Sequence, residues 1–485
     1  MSAIKKLAQQ TALYGLPSIL GRVLNFILVP IHTGIMNQSQ FGSITDLYSL
    51  VAVGIVLLTY GFETAYFNKS QNPLSEKKSF ATGMQSLLFT SLLFLLAFEW
   101  GLPELSRVLR YENHPHYLRW MVWIMLLDVL SALPFARLRF RQKALEFVGI
   151  KFILIGLNIG FNLFFFLGLK HWPELQNNLP AAWNDPVAWV LISNLLASAV
   201  MFLLLLPQWR QADGWRFDRE LWRKMMGYGL PLMAAGLAGI ANELADRQLL
   251  KYLLPEHLAM NQLGVYGAVY KLSIFLMLFV QAYRYAAEPF FFQLRNAKNS
   301  GETNAQVLEG FVMFLGLVLI GLNASLPIIK HFINERFWEG LALAPILFAA
   351  NYILGINTHL GIWYKLANKT RFAWYITGLG LFFTLWLNFW LIPVLGIEGA
   401  AWATLASYTA MMLMNLIMGH KHYPLPYAYK RLTLYFLSSV ILGFFAWKLQ
   451  SMVGLWACMA LVPYLILLAF IKPEFAHKLW PKRQA

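Results

Sequence analysis

Long apolar runs alternate with short polar connections along almost the whole chain. Each run is about 20 residues long, which is the length that an α-helix needs to cross the ~30 Å hydrocarbon core of a bilayer. The pattern predicts an all-α polytopic membrane protein with 14 transmembrane helices. The predicted segments lie at 8–35, 41–67, 80–102, 117–137, 144–169, 186–207, 220–250, 262–288, 304–327, 341–364, 372–393, 397–418, 431–448 and 453–471.

One short motif occurs twice, each time at the start of an apolar run. Tyr-Gly-Leu-Pro stands at 14–17 and again at 228–231, 214 residues later, and Tyr48 in the next run matches Tyr270. Many transporters are built from such repeats, with the substrate path at the repeat interface. The duplication predicts three parts: an N-terminal six-helix lobe at 1–210, a C-terminal six-helix lobe at 211–422, and two extra helices with a basic tail at 423–485.

The charge of the chain follows its topology. Only 13% of the residues are charged, about half the ~25% of soluble proteins, yet the net charge is +16. If successive connections alternate between the two sides, 26 Lys and Arg lie on the side of the N-terminus and 7 on the other. The positive-inside rule then predicts a multi-pass protein with both termini in the cytoplasm. The basic balance reflects this topology and contact with anionic membrane lipids, so no nucleic-acid partner is expected.

Residues with the chemistry of an enzyme are sparse. Cys458 lies in the last apolar run and is predicted to be a small core residue, and His114 and His116 have no further metal ligands at a suitable spacing. The longest predicted outward loops, 103–116 and 170–185, are too short for the catalytic domain of a membrane glycosyltransferase or polymerase. The sequence therefore predicts a transporter rather than an enzyme, with no cofactor and no metal.

The most informative charge is Arg22, which lies inside the first apolar run. Tyr14, Ser18, Arg22 and Asn25 recur at helical spacing and form one polar stripe, whereas the second half has Gly236 where the first has Arg22. An arginine at that depth costs about 2.5–3.5 kcal/mol on insertion scales, so it needs a wet cavity or a partner. Two interpretations stand: Arg22 lines a substrate cavity, or it forms a structural ion pair, with Asp128 as a candidate.

Four other charged residues in apolar runs are candidates for the same cavity or for its movements. Lys271 lies deep in segment 8, whereas Lys151 lies close enough to the cytoplasmic side to reach the headgroups. Arg284 and Glu288 are four residues apart, so they either pair on the helix or act in gating or ion coupling.

A polar cluster lies near the predicted outer end of segment 7. It contains Asn242, Glu243, Asp246 and Arg247, with Glu243 and Arg247 spaced to pair. This cluster fits a gate between moving lobes, a site for a coupling cation, or simply a solvated helix end.

Two stretches resemble known transporters. The stretch 388–408 carries Asn388, Ile-Pro at 392–393, Gly396, Gly-Ala-Ala at 399–401 and Ala-Thr at 403–404, and it resembles a hairpin of bacterial polysaccharide and O-antigen flippases. These belong to the multidrug/oligosaccharidyl-lipid/polysaccharide exporter superfamily. Residues 21–26 are similar to a Ser-Arg-Val-Leu-Gly-Phe stretch of lipid II flippases, in which the arginine faces the central cavity. Those proteins have a second arginine six residues later, where this chain has Leu28.

The resemblance implies a flippase of the bacterial cytoplasmic (inner) membrane. It would move undecaprenyl-pyrophosphate-linked oligosaccharide to the outer leaflet by alternating access, for cell-surface polysaccharide biosynthesis. Arg22 and Lys271 would neutralise the pyrophosphate, and other polysaccharide-assembly membrane proteins are candidate partners. Coupling to H⁺, Na⁺ or membrane potential stays open. The alternatives are a cation-coupled multidrug or metabolite extruder on the same fold, and a lipid II flippase.

Overall fold

The structure is a computed structural model that describes residues 26–70, 72–210, 216–294, 299–367 and 369–471. Every regular element in these ranges is helical. Apolar side chains on successive turns account for this, because a helix satisfies its own main-chain hydrogen bonds within a bilayer. The described residues fall into two compact units, 26–248 and 249–471.

The first unit contains eight complete helices and most of a ninth. They are α1 (Val29–Ile35), α2 (Gln38–Thr59), α3 (Phe62–Lys69), α4 (Pro73–Val108), α5 (Pro115–Phe140), α6 (Ala144–Leu163), α7 (Pro173–Asn177), α8 (Pro186–Arg210) and α9 (Arg219–Leu253). α5 is the central element, since it packs against α2, α4 and α8. α9 crosses the boundary between the two units, which lies at residue 248. The division of the chain into two six-helix lobes at residue 210 stays a prediction from the sequence.

The second unit repeats this all-helical organisation. Its helices are α10 (Glu256–Leu272), α11 (Ile274–Leu294), α12 (Ser300–Ala324), α13 (Leu326–Ile329), α14 (Ala344–Leu360), α15 (Ile362–Leu366), α16 (Arg371–Leu395), α17 (Ile397–His422), α18 (Tyr429–Val453) and α19 (Leu461–Ile471). α14 is buried between α12 and α17, and α16 packs along α17.

The number of membrane spans differs from the predicted count. By length and composition, 10 helical stretches of the described residues could cross a membrane, or 11 if α10 and α11 form one span bent by 51°. The predicted count of 14 is therefore not confirmed. Three features account for the difference: most of segment 1 lies outside the described residues, α9 is too polar to qualify by composition, and segments 13 and 14 form one helical stretch of 43 residues.

The stretch 388–408 forms the predicted tight turn between two helices. Gly396 joins α16 to α17 with a φ of +61°, a conformation that glycine adopts without steric cost. A Cβ on Gly399 would clash with the main chain of Leu391, and Ala400 and Ala401 are fully buried. Small side chains here let the two helices approach closely, as the sequence predicts.

The second copy of the repeated motif has a packing function. A Cβ on Gly229, within α9, would meet the carbonyl oxygen of Tyr60 at 2.5 Å. Tyr60 and Gly61 form the break between α2 and α3 in the left-handed region, with φ values of 34° and 74°. The glycine of this motif thus allows α9 to lie directly on that break.

The C-terminal helices pack onto the second unit. α18 lies along α12, and the chain reverses after Gly454 before α19 returns to contact the same region. The 43 residues from Tyr429 to Ile471 are about twice the length required for one crossing. Cys458 lies in the reversal and is exposed, so the prediction of a core cysteine was wrong, because the turn carries its side chain away from the helix contacts.

Candidate functional site

The polar stripe of segment 1 falls outside the part of the chain that the structure describes. Tyr14, Ser18, Arg22 and Asn25 all precede residue 26, so their roles stay predictions. Glu288 lies within α11, but its side chain is outside the described part of the structure.

Asp128 and Lys151, predicted as separate candidates, come together near the middle of the first unit. The carboxylate of Asp128 on α5 accepts a hydrogen bond of 3.1 Å from the hydroxyl of Ser198 on α8 and interacts electrostatically with Lys151 on α6. The ammonium of Lys151 stands 4.1 Å from the ring centre of Phe135. The two opposite charges reduce the cost of burying either one, and this contact also explains why a lysine is tolerated there.

Two hydrogen bonds extend this pair to a third helix. Asn194 donates to the hydroxyl of Tyr48 on α2 at 2.8 Å, and Ser198 lies 3.5 Å from the amide oxygen of Asn194. A polar path therefore runs from α2 through α8 to the charge pair. Such chains within a membrane are typical of proton or ion pathways as well as of helix packing.

Lys271 and Arg284 are both exposed in the second unit. Lys271 lies in the last turn of α10, beside the bend at Ser273. Arg284, on α11, stands 5.8 Å from the ring centre of Tyr285. Of the cations predicted for the cavity, Lys271 is thus on a surface, whereas Lys151 is held among neighbouring helices.

The cluster near the end of α9 is mostly buried. Asp246 and Arg247 are 2% and 8% exposed, and Arg247 pairs with Asp246 at 3.6 Å while donating to the main-chain oxygen of Glu243. Glu243 itself is exposed. The burial of Asp246 and Arg247 does not fit a solvated helix end, and Arg247 reaches both the carboxylate of Asp246 and the main chain of Glu243.

A carboxylate that the sequence interpretation overlooked lies beside this cluster. Asp46 on α2 is fully buried and accepts hydrogen bonds from Gln248 at 2.6 Å and from the hydroxyl of Tyr111 at 2.8 Å. Burial and the Asp46 charge raise the pKa of Tyr111 well above its usual value, so the phenol remains a donor. The signal was available, because Asp46 is a carboxylate within a predicted transmembrane run.

A second overlooked cluster lies at the predicted cytoplasmic end of the first unit. Glu76 on α4 accepts hydrogen bonds from Arg137 at 2.7 Å, from Arg141 at 3.1 Å and from Tyr66 at 2.9 Å. Arg137 also donates to the main-chain oxygen of Gln208 on α8. Glu76 and Arg137 are 2% and 0% exposed, so this network joins four helices through buried charges.

The second unit has a cluster at the corresponding ends of its helices. His359 on α14 bonds through Nε2 to Asn304 on α12 at 3.1 Å and through Nδ1 to Tyr283 on α11. Tyr427 donates to the same Asn304 oxygen at 3.1 Å. His359 is therefore a hydrogen-bonded core histidine.

The chemistry of these clusters is that of binding and conformational change rather than of bond cleavage. The described residues contain no group of three or more His, Cys, Asp or Glu that could hold a metal ion.

Residues 33–318, more than half of the chain, match the sequence model of the polysaccharide biosynthesis protein family. The chain belongs to this family.

The fold of this polysaccharide biosynthesis protein is found in solved transporter structures. The lipid II flippase MurJ in an inward closed conformation superposes with a TM-score of 0.74 at 13% identity, covering 96% of this chain and 99% of that one. A mutant of the Vibrio cholerae MATE transporter VcmN gives a TM-score of 0.60 at 16% identity, covering 87% and 99%. The MATE multidrug transporter DinF-BH gives 0.61 at 16%, covering 86% and 95%.

These likenesses show that the chain shares the fold of the solved structures, and the predicted all-helical membrane-protein fold is confirmed. The solved structures are those of a lipid II flippase and of multidrug transporters, and none of these three is an enzyme. A comparison with curated protein sequences finds no match.

Proposed function

We propose that this polysaccharide biosynthesis protein flips an undecaprenyl-pyrophosphate-linked oligosaccharide from the cytoplasmic to the outer leaflet. The observation that carries the proposal is the family match over residues 33–318 in a chain with a transporter fold. A protein of polysaccharide assembly that spans the membrane many times is suited to moving a glycan on its lipid carrier. The product would serve cell-surface polysaccharide biosynthesis, as O-antigen does.

The substrate determines which residues matter. Its head group combines a large glycan with an anionic pyrophosphate, whereas its polyprenyl tail can stay in lipid. Arg22 can hold phosphate oxygens with two parallel hydrogen bonds, and the exposed Lys271 supplies a second cation from the other half of the chain. Lys151 is a weaker candidate for this role, because Asp128 already balances its charge.

The orientation and energy source belong to the same proposal. The charge bias supports a position in the bacterial inner membrane with both termini in the cytoplasm. Alternating access would follow from the two lobes rocking about the substrate, driven by H⁺, Na⁺ or the membrane potential. Glu243, Asp246 and Glu288 are the carboxylates that we assign to gating or ion coupling. Other polysaccharide-assembly membrane proteins would supply and remove the substrate.

Two other functions are supported by specific observations. The structural likeness to a lipid II flippase supports lipid II as the substrate, although Leu28 replaces the second arginine of the resembling motif. The likeness to MATE transporters supports a multidrug extruder. The predicted mid-membrane position of Arg22 favours anionic substrates over organic cations.

The proposal is tested by reconstituting the purified protein into proteoliposomes. Each batch would contain one fluorescently labelled substrate: an undecaprenyl-pyrophosphate oligosaccharide, lipid II, or the organic cation ethidium. We expect protein-dependent movement of the oligosaccharide lipid, measured as the fraction of label that a membrane-impermeant quencher reaches. Movement of ethidium alone would show an extruder, and movement of lipid II alone would show a lipid II flippase.

A further inference from the structure

A cluster of aromatic rings covers the predicted outer end of the first unit. His114 stacks on Tyr117 with ring centres 4.8 Å apart and planes at 5°. His116 meets Tyr117 and Trp120 edge-on at 4.7 and 4.9 Å, and Trp120 meets Trp183 edge-on at 6.4 Å. We call these five residues the outer platform. The outer platform includes His114 and His116, the histidine pair that has no role in the proposed transport.

Hydrogen bonds hold the outer platform in place. The hydroxyl of Tyr117 donates to Asp185 at 2.7 Å, which joins the start of α5 to the loop before α8. Asp185 also accepts from the main-chain nitrogens of Val187 and Ala188 at 2.8 and 3.1 Å. Because these bonds and ring contacts restrict the aromatic side chains before a ligand arrives, little rotamer entropy remains to be lost on binding.

Polar groups lie among these rings. Asn184, next to Trp183, is exposed and accepts a hydrogen bond of 3.5 Å from Gln176. His114 is also exposed, whereas Trp120 and Trp183 are half-buried. Nε2 of His116 is buried and has no hydrogen-bond partner within the described ranges, so His114 is the imidazole that a ligand can reach. Aromatic faces that can cover the C–H surface of a pyranose, beside amides and imidazoles that bond hydroxyls, are the groups that recognise a sugar.

Other tryptophans of the chain have different surroundings. Trp386 and Trp390 on α16 are 50% and 63% exposed along a transmembrane helix, as expected of rings that face lipid. Trp338 in the second unit already has the ammonium of Lys330 at 4.1 Å from its ring centre, and its N–H bonds to main-chain oxygens. A sugar would have to displace these contacts at Trp338, whereas the ring contact of the half-buried Trp183 is the edge-on one with Trp120.

We propose that the outer platform binds sugar residues of the glycan head group on the outer side of the membrane. This inference rests on the proposed function and on the predicted orientation of the chain. Recognition would come from stacking and hydroxyl bonds, so the platform would select neutral sugars by shape. The pyrophosphate would remain with the cations nearer the middle of the membrane.

The test measures binding of a soluble sugar apart from transport. The protein in nanodiscs is titrated with the oligosaccharide that mild acid releases from the lipid-linked substrate, and saturation-transfer NMR reports the Kd. We expect Trp183→Ala to raise the Kd at least about fivefold and Asn184→Ala to raise it at least about twofold. Trp390→Ala, a lipid-facing control, should leave it unchanged. Because Asn184 is exposed, we expect Asn184→Ala to fold. Its Kd therefore still tests the proposal if Trp183→Ala fails to fold.

Parallel flipping assays separate the two proposals. If the wild type flips the lipid-linked glycan but binds no free oligosaccharide, or if Trp183→Ala and Asn184→Ala both bind it as the wild type does, the outer platform is refuted and the flippase stands. Platform-dependent binding without flipping would leave the outer platform supported and refute the proposed function.

Discussion

The two halves of the chain stabilise the same part of the repeat with different chemistry. In the first unit, Arg137 near the end of α5 pairs with Glu76 near the start of α4, and Tyr66 donates to the same carboxylate. In the second unit, His359 near the end of α14 bonds to Asn304 near the start of α12, and Tyr283 contacts the same imidazole. Each cluster combines a tyrosine, an acceptor and a basic group, but Tyr66 bonds to the acceptor whereas Tyr283 bonds to the base, and the formal ion pair belongs to the first unit's cluster.

This difference teaches that similar helix ends of the two halves are joined by an ion pair in one case and by neutral groups in the other. A buried ion pair is costly to break, because removing one partner leaves a desolvated charge. A network of amide, imidazole and hydroxyl groups loses only ordinary hydrogen bonds. The first unit should therefore be more sensitive than the second to single changes at its cluster.

The largest effect is expected at Arg137. Arg137→Ala leaves Glu76 buried with Arg141 as its remaining cation, so we expect a loss of about 3–5 kcal/mol in the free energy of unfolding. Denaturant titration in bicelles measures this loss. Arg107→Ala is the control, since Arg107 pairs with Glu104 while 67% exposed and should change stability by about 0–1 kcal/mol. If the two substitutions lowered the free energy of unfolding equally, burial of the ion pair could not be the cause of the loss at Arg137.

A double substitution sharpens the interpretation. Replacing both partners, as in Glu76→Leu with Arg137→Met, removes the two charges together and should cost less than the sum of the single substitutions. We expect a coupling of about 0.5–3 kcal/mol from the complete cycle. Strict additivity would mean that the two side chains act independently.

Two substitutions with smaller expected effects, one in each cluster, compare the clusters directly. Tyr66→Phe removes a hydrogen bond to a carboxylate and should cost about 1.5–3 kcal/mol, whereas Tyr283→Phe removes one to an imidazole and should cost about 0.5–1.5 kcal/mol. Both substitutions delete one hydroxyl from a ring packed among aromatic neighbours. The same unfolding measurement applies, and a larger loss for Tyr283→Phe would reverse the comparison.

The sequence predicted what depends on long, regular patterns. Apolar runs identified most helices, and the spacing of Pro393, Gly396 and Gly399 predicted the turn between α16 and α17. Hydropathy could not establish how far each helix extends. α4 begins at Pro73, capped by Asn72, rather than at the predicted residue 80, and this extension carries Glu76 into the helix packing.

Charged partners were the least predictable part of the candidate site. Glu76 stands in the predicted connection between segments 2 and 3, and Arg137 is the last residue of predicted segment 4, so both were expected where charges are normally solvated. Their burial depends on four helices meeting, which is a tertiary property. Asp128 interacts with Lys151, because α6 brings that lysine toward α5, whereas the predicted pairing of Asp128 with Arg22 involves a residue outside the described ranges and stays a prediction.

The most direct measurement compares flipping by Arg22 variants in proteoliposomes, with undecaprenyl-pyrophosphate oligosaccharide as the substrate. If Arg22 binds the pyrophosphate through charge-assisted hydrogen bonds, Arg22→Ala should slow flipping about 10- to 100-fold, and Arg22→Lys should retain part of the rate. Unchanged thermal stability would show that the loss is not one of folding. Flipping at the wild-type rate by Arg22→Ala would contradict the account.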